Sequence, residues 1–115
     1  MTIDRASLAD RLRTVLTTER SIREVPMFGG LSFMVNDKMV VAAGRDGDLL
    51  VRIDPERNRE LVARPGAGPA EMGPGRAMGP SWISIAHDVI AADEQLSFWI
   101  DAALDYNARA AKGER

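Results

Sequence analysis

The sequence contains no cysteine and a single histidine, His87, in 115 residues. The first absence excludes disulfides, thiolate metal sites and thiol nucleophiles together, and it fits a reducing compartment. The second leaves a nucleophile-and-base arrangement with His87, an acidic side chain or a lysine as its base. No G-x-S-x-G, H-E-x-x-H or P-loop spacing accompanies His87, which reads as a turn or surface residue. No segment has the density of oxygen ligands that a calcium or magnesium site needs. The expectation is therefore a non-enzyme with no metal and no cofactor. There is also no basic run. Fifteen Lys and Arg face 17 Asp and Glu, for a net charge of −2, so direct binding to duplex DNA is expected to be weak. No apolar stretch approaches the ~20 residues that span a bilayer, and no signal-peptide core is visible at the N-terminus. A cytoplasmic location is expected.

What is present is an ordinary globular balance, 45% hydrophobic and 28% charged. That is enough for one domain over 1–115, with a core from about 6 to 111. The chain is organised around Met27–Ile53, which reads as three strands and two tight turns. Asn36-Asp37 and Asp46-Gly47 are the turn pairs, because these residues tolerate the left-handed positions that two-residue hairpins need. This register sets Val35 opposite Lys38, Phe33 opposite Val40 and Leu31 opposite Ala42. It then sets Ala42 opposite Val51. One face would carry Leu31, Phe33, Val35, Val40, Ala42, Leu49, Val51 and Ile53, an apolar set suited to a core. The other would carry Ser32, Met34, Met39, Val41, Ala43, Leu50 and Arg52.

Around these strands the periodicity predicts a helix from about Ala6 to Thr18, with Leu8, Leu12, Val15 and Leu16 as its stripe. An extended segment over Ser21–Met27 carries Pro26, which suits an edge. A short surface helix runs from Asp54-Pro55 to about Ala63, with Asp54 as cap and Pro55 at the first position. The stretch 65–80, PGAGPAEMGPGRAMGP, is read as a Gly/Pro loop without regular structure. Ser81–Ile85 alternates as a strand. Asp93 to about Ala111 is the strongest helix, with Leu96, Trp99, Ile100, Ala103 and Leu104 on one stripe. The expected fold class is α+β: a mostly antiparallel sheet of about five strands with helices packed on one face.

Two places carry a functional flavour. Gly75, Arg76 and Met78 lie on the Gly/Pro loop, where an arginine among exposed backbone N–H groups can meet an anion or a partner. The alternative is local pairing of Arg76, with Met78 plugging the core. Met34, Met39, Val41 and Leu50 form an apolar patch on the second face. Methionine suits adaptable interfaces and cores equally. With few helices left to cover that face, a homodimer is expected.

Several of these pieces resemble one known family. Met27-Phe28-Gly29-Gly30, then Leu31-Ser32-Phe33, a turn before Lys38-Met39, and Leu50-Val51-Arg52-Ile53-Asp54 are similar to the N-terminal domain of the TfoX/Sxy competence regulators. Gly75-Arg76-Ala77-Met78 before the strand at Trp82, and the helix DEQLSFWI with its tryptophan, continue the likeness. Together they cover about Arg20 to Ala103. The departures are Pro69-Ala70-Glu71-Met72, where aromatic residues often stand, and Arg52, where lysine is common. The resemblance implies an α+β fold related to secretion-chaperone-like folds, here as a stand-alone domain. It implies a regulatory or protein-interaction role, with a possible partner in transcriptional regulation. The alternative is a small anion- or ligand-binding domain, enzymes included, centred on Arg76 and its loop.

Overall fold

A computed structural model describes residues 5–16, 22–27, 30–35, 38–44, 47–73 and 76–111. The strands are β1 (Ile22–Met27), β2 (Gly30–Val35), β3 (Lys38–Ala43), β4 (Leu49–Arg52), β5 (Ala67–Pro69), β6 (Glu71–Gly73), β7 (Arg76–Ala77) and β8 (Trp82–Ile85). The helices are α1 (Arg5–Val15), α2 (Asn58–Val62), α3 (His87–Ile90) and α4 (Asp93–Ala111). Six strands form one antiparallel sheet in the order β1-β2-β3-β4-β8-β5, while β6 and β7 pair as a separate ribbon. The expected α+β architecture is present, with one strand more than expected.

The turn expected at Asn36-Asp37 lies outside the described residues, and the register departs from expectation beyond its first pairs and at the turn expected from Asp46-Gly47. Val35 does pair with Lys38, but the ladder shifts beyond Met34–Met39, so that Phe33 pairs with Val41 and Leu31 with Ala43. Val40 is the extra residue of a β-bulge, two residues opposing one across the ladder. The second turn is a three-residue loop, closed by Gly44 N donating to Asp48 O at 2.9 Å. Its last position is Gly47, at φ 87°. This is the conformation in which glycine closes a three-residue hairpin. Downstream, Val41 pairs with Val51 and Ala42 with Leu50. The two displacements agree, and they exchange the faces of β3 from Val41 on, while Val40 at the bulge is fully buried in the core as expected. Val41 and Ala43 point into the core, and Ala42 points out. Glycine is also required at Gly30, where a Cβ would collide with the carbonyl oxygen of Ala43 across the β2–β3 ladder.

The stretch 65–80, expected to be irregular, is a correction of another kind. Ala67–Pro69 pairs with β8 and completes the sheet. Glu71–Gly73 and Arg76–Ala77 make the ribbon. Short polar strands of two or three residues carry too little apolar alternation to register as a period.

The core lies between the sheet and the helices. Leu8, Leu12 and Leu16 recur every four residues and are fully buried, together with Phe33, Val41, Val51, Ile83, Ile85, Trp99 and Ile100. Phe33 and Trp99 share this one cluster. Val15, assigned to the α1 stripe, is instead 36% exposed, because the stripe runs through Leu12 and Leu16 rather than the position between them. Asp54 caps the turn at Pro55–Arg57 as expected, its Oδ1 accepting from Glu56 N at 2.9 Å. Near the far end of α4, the buried Asn107 donates from Nδ2 to the carbonyl of Val35 at 2.9 Å. That bond satisfies the last carbonyl of β2.

Candidate interaction surface

Antiparallel pairing places directly opposed residues on one face. Away from the helices the register therefore lines up two rows. One runs Val25, Ser32, Ala42, Leu50, Ser84 and Gly68 across the sheet. The other holds Arg23, Met34 and Met39 at one end and Arg52 and Trp82 at the other. Met34, Met39, Leu50 and Trp82 are half-buried, and Ser32 and Ala42 are buried. These two are short side chains with longer neighbours on the same face. The surface is thus a shallow, mostly apolar plane. None of these outward positions carries a carboxylate.

Of the expected interface residues, Met34, Met39 and Leu50 are brought together here. Val41 is not. The bulge turns it to the core, where it is fully buried, and Ala42 takes the outward place. Trp82 and Ser84 were legible as one face of a strand, but nothing local said that this strand would dock beside β4 and extend the plane. The two arginines sit at its ends. Arg23 Nη2 lies 3.7 Å from Met34 Sδ. The guanidinium of Arg52 lies 5.6 Å from the ring centre of Tyr106, on α4.

The sheet's free edges are guarded. In β1, Pro26 removes a donor, and Arg23 and Glu24 are exposed charges. Such residues deter pairing with another strand. Arg13, on α1, reaches Glu24 with a fork of 2.7 and 3.0 Å and also Asp10. The hydrogen bonds from Arg13 hold the Glu24 carboxyl below its ordinary value, against a smaller opposing effect of desolvation. The same bonds raise Arg13. The opposite edge, β5, is three residues long and ends in Pro69.

The loop candidates are placed as follows. Gly75 lies outside the described residues. Arg76 opens β7 and pairs with Gly73. Met78 is half-buried, and its N–H donates to Ala70 O at 2.9 Å. His87 opens α3, and the Asp48 carboxylate accepts from its backbone N–H at 3.0 Å and lies 3.2 Å from Nδ1. This is a helix-start contact that joins the β3–β4 turn to α3. Among the described residues no three His, Cys, Asp or Glu side chains are grouped to hold a metal ion. No described helix is long and apolar enough to cross a membrane.

Comparison with curated proteins and with solved structures finds no match. The family model of the TfoX N-terminal domain matches residues 15–106. That span takes in the whole sheet, the bulged strand, the ribbon and most of α4, so the chain belongs to the TfoX N-terminal domain family.

Proposed function

We propose that the chain is a single-domain, non-enzymatic protein-interaction module of the regulatory kind, acting in the cytoplasm through the open face of its sheet. The observation that supports this reading is the plane itself. The helices gather on the opposite face, while Met34, Met39, Leu50 and Trp82 stay partly open around the short side chains of Ser32 and Ala42. Adaptable methionines beside an aromatic anchor suit a protein surface. The first partner is a second copy of the chain. A twofold contact would set the plane against itself, which is the commonest way to cover such a surface. Arg76, which opens β7, and Met78 just after that strand, together with Gly75 of the expected site, would serve as a further contact for a regulatory partner. The guarded edges favour the plane over strand addition.

Light scattering tests the self-association. A dimer mass at micromolar concentrations is expected, and a monomer mass would overturn it. Met39→Glu places a carboxylate on the plane and should dissociate the dimer while leaving the circular dichroism spectrum unchanged. A dimer that survives this change would move the contact away from the plane.

A further inference from the structure

On the helix side of the sheet, two neighbouring side chains hold buried N–H donors that have no acceptor. One is Arg64, in the turn between α2 and β5. Its backbone is pinned, N to Leu61 O and O to Ala67 N, each at 3.1 Å. Its guanidinium carbon lies 3.7 Å from the ring centre of Phe98 and 5.9 Å from that of Trp99. Phe98 and Trp99 meet edge to face, with ring centres 5.3 Å apart. Stacking on Phe98 occupies the face of the guanidinium but none of its N–H groups, which radiate in the plane. Arg64 Nε is buried without a hydrogen-bond partner, and so is Nε1 of the fully buried Trp99. Among the described residues no carboxylate pairs with Arg64. Arg109 makes the contrast: its Nε also lacks a hydrogen bond, but Asp54 and Asp105 lie 3.2 and 3.6 Å from its guanidinium, so its charge is met.

Buried polar groups in folded proteins are almost always paired, and each exception asks for an explanation. A water could accept from either donor but would bring no counter-charge to the half-buried Arg64. A carboxylate supplies an acceptor and the counter-charge together, and the Nε edge of arginine matches it in a two-pronged contact. The half-buried Phe98 and Val62 add apolar wall at the margin of the core. We infer that the Arg64 Nε edge, with its guanidinium carbon 5.9 Å from the centre of the Trp99 ring, is a binding site for a small organic carboxylate. The site lies apart from the open plane and does not depend on self-association.

Nitrogen-15 NMR reads both donors directly, with the Trp99 indole signal assigned by Trp82→Phe. Acetate and benzoate are titrated, with sodium chloride at matched ionic strength as control and inorganic phosphate as a competing class. The expected result is a saturable downfield shift of the Arg64 Nε–H and Trp99 Nε1–H signals with the carboxylates only. Arg64→Met should abolish the Trp99 response. Arg64→Lys, which keeps the charge but loses the Nε–H, should weaken binding by roughly tenfold, about one charge-assisted hydrogen bond. No saturable shift would overturn the inference. So would a shift matched by chloride, a response to phosphate alone, or cross-peaks showing only a bound water at the two donors. If Arg64→Met fails to fold, the response of the wild-type chain and of Arg64→Lys decides.

Discussion

The two faces of the sheet are built from the same strands and differ by one residue of register, yet they obey different rules. The helix-covered face is filled by Phe33, Val41, Val51, Ile83 and Ile85, none of them with measurable exposure. The opposite face alternates Met34, Met39, Leu50 and Trp82 with Ser32, Ala42 and Ser84, and its large residues stay half-open. On the first face every methylene is held by neighbours, so volume matters. On the second, chemistry can vary at little cost to folding, which is the freedom that a binding surface needs.

The sharpest way to break this contrast is to truncate each side's aromatic anchor. Trp99→Ala or Phe33→Ala should cost ~3–5 kcal/mol in denaturant unfolding, whereas Trp82→Ala should cost well under half of that. Equal losses would place Trp82 in a core. Next in size is a test of the bulge with adjacent residues. Val41→Ser leaves a cavity and a buried hydroxyl, for about 2–3 kcal/mol. Ala42→Ser leaves no cavity and joins a row that already holds the buried Ser32, so it should cost about 1 kcal/mol or less. The reverse order would restore the register with Ala42 inward and Val41 outward. Asn107→Leu removes the donor to the Val35 carbonyl on the covered side and should cost about 1–3 kcal/mol. A stability unchanged by Asn107→Leu would mean that water replaces the bond. Gly47→Ala, at the turn that sets the second register, should cost about 1 kcal/mol, because an L residue resists positive φ.

The smallest effect belongs to the edge. Glu24 is held below its ordinary value of 4.5 by Arg13. The stabilisation is therefore complete above that ordinary value and is lost as pH falls through the lowered one. The pair is exposed, so the loss should be slight and should fade with added salt. Glu24→Gln should remove that part of the acid dependence. An unchanged acid limb would show that the fork contributes nothing in solution.

The large periodic pieces were legible because each follows from a local rule. Leu8, Leu12 and Leu16 mark α1. Leu96, Trp99 and Ile100 mark α4. Asp54-Pro55 marks a helix start. Alternation over Gly30–Val35 and Leu49–Arg52 marks strands, and their hairpin order already implied an antiparallel sheet with one apolar face. The methionine patch was legible in part, since Met34, Met39 and Leu50 keep their side whichever way β3 is threaded.

Tertiary structure decided the rest. Met39-Val40-Val41 contains two adjacent valines, so no local pattern says which is bulged; the choice comes from packing Val41 rather than Ala42 against the helices. The three-residue turn depends on Gly47 adopting positive φ where a two-residue turn was equally allowed. Ala67–Pro69 becomes a strand only because β8 offers it a ladder. The meeting of Arg64 with Phe98 and Trp99 joins residues more than thirty positions apart, by a turn after one helix and the stripe of another. Local sequence sets propensities and periods, but contacts between distant segments are set by closing the core, and that is where both candidate surfaces of this protein were made.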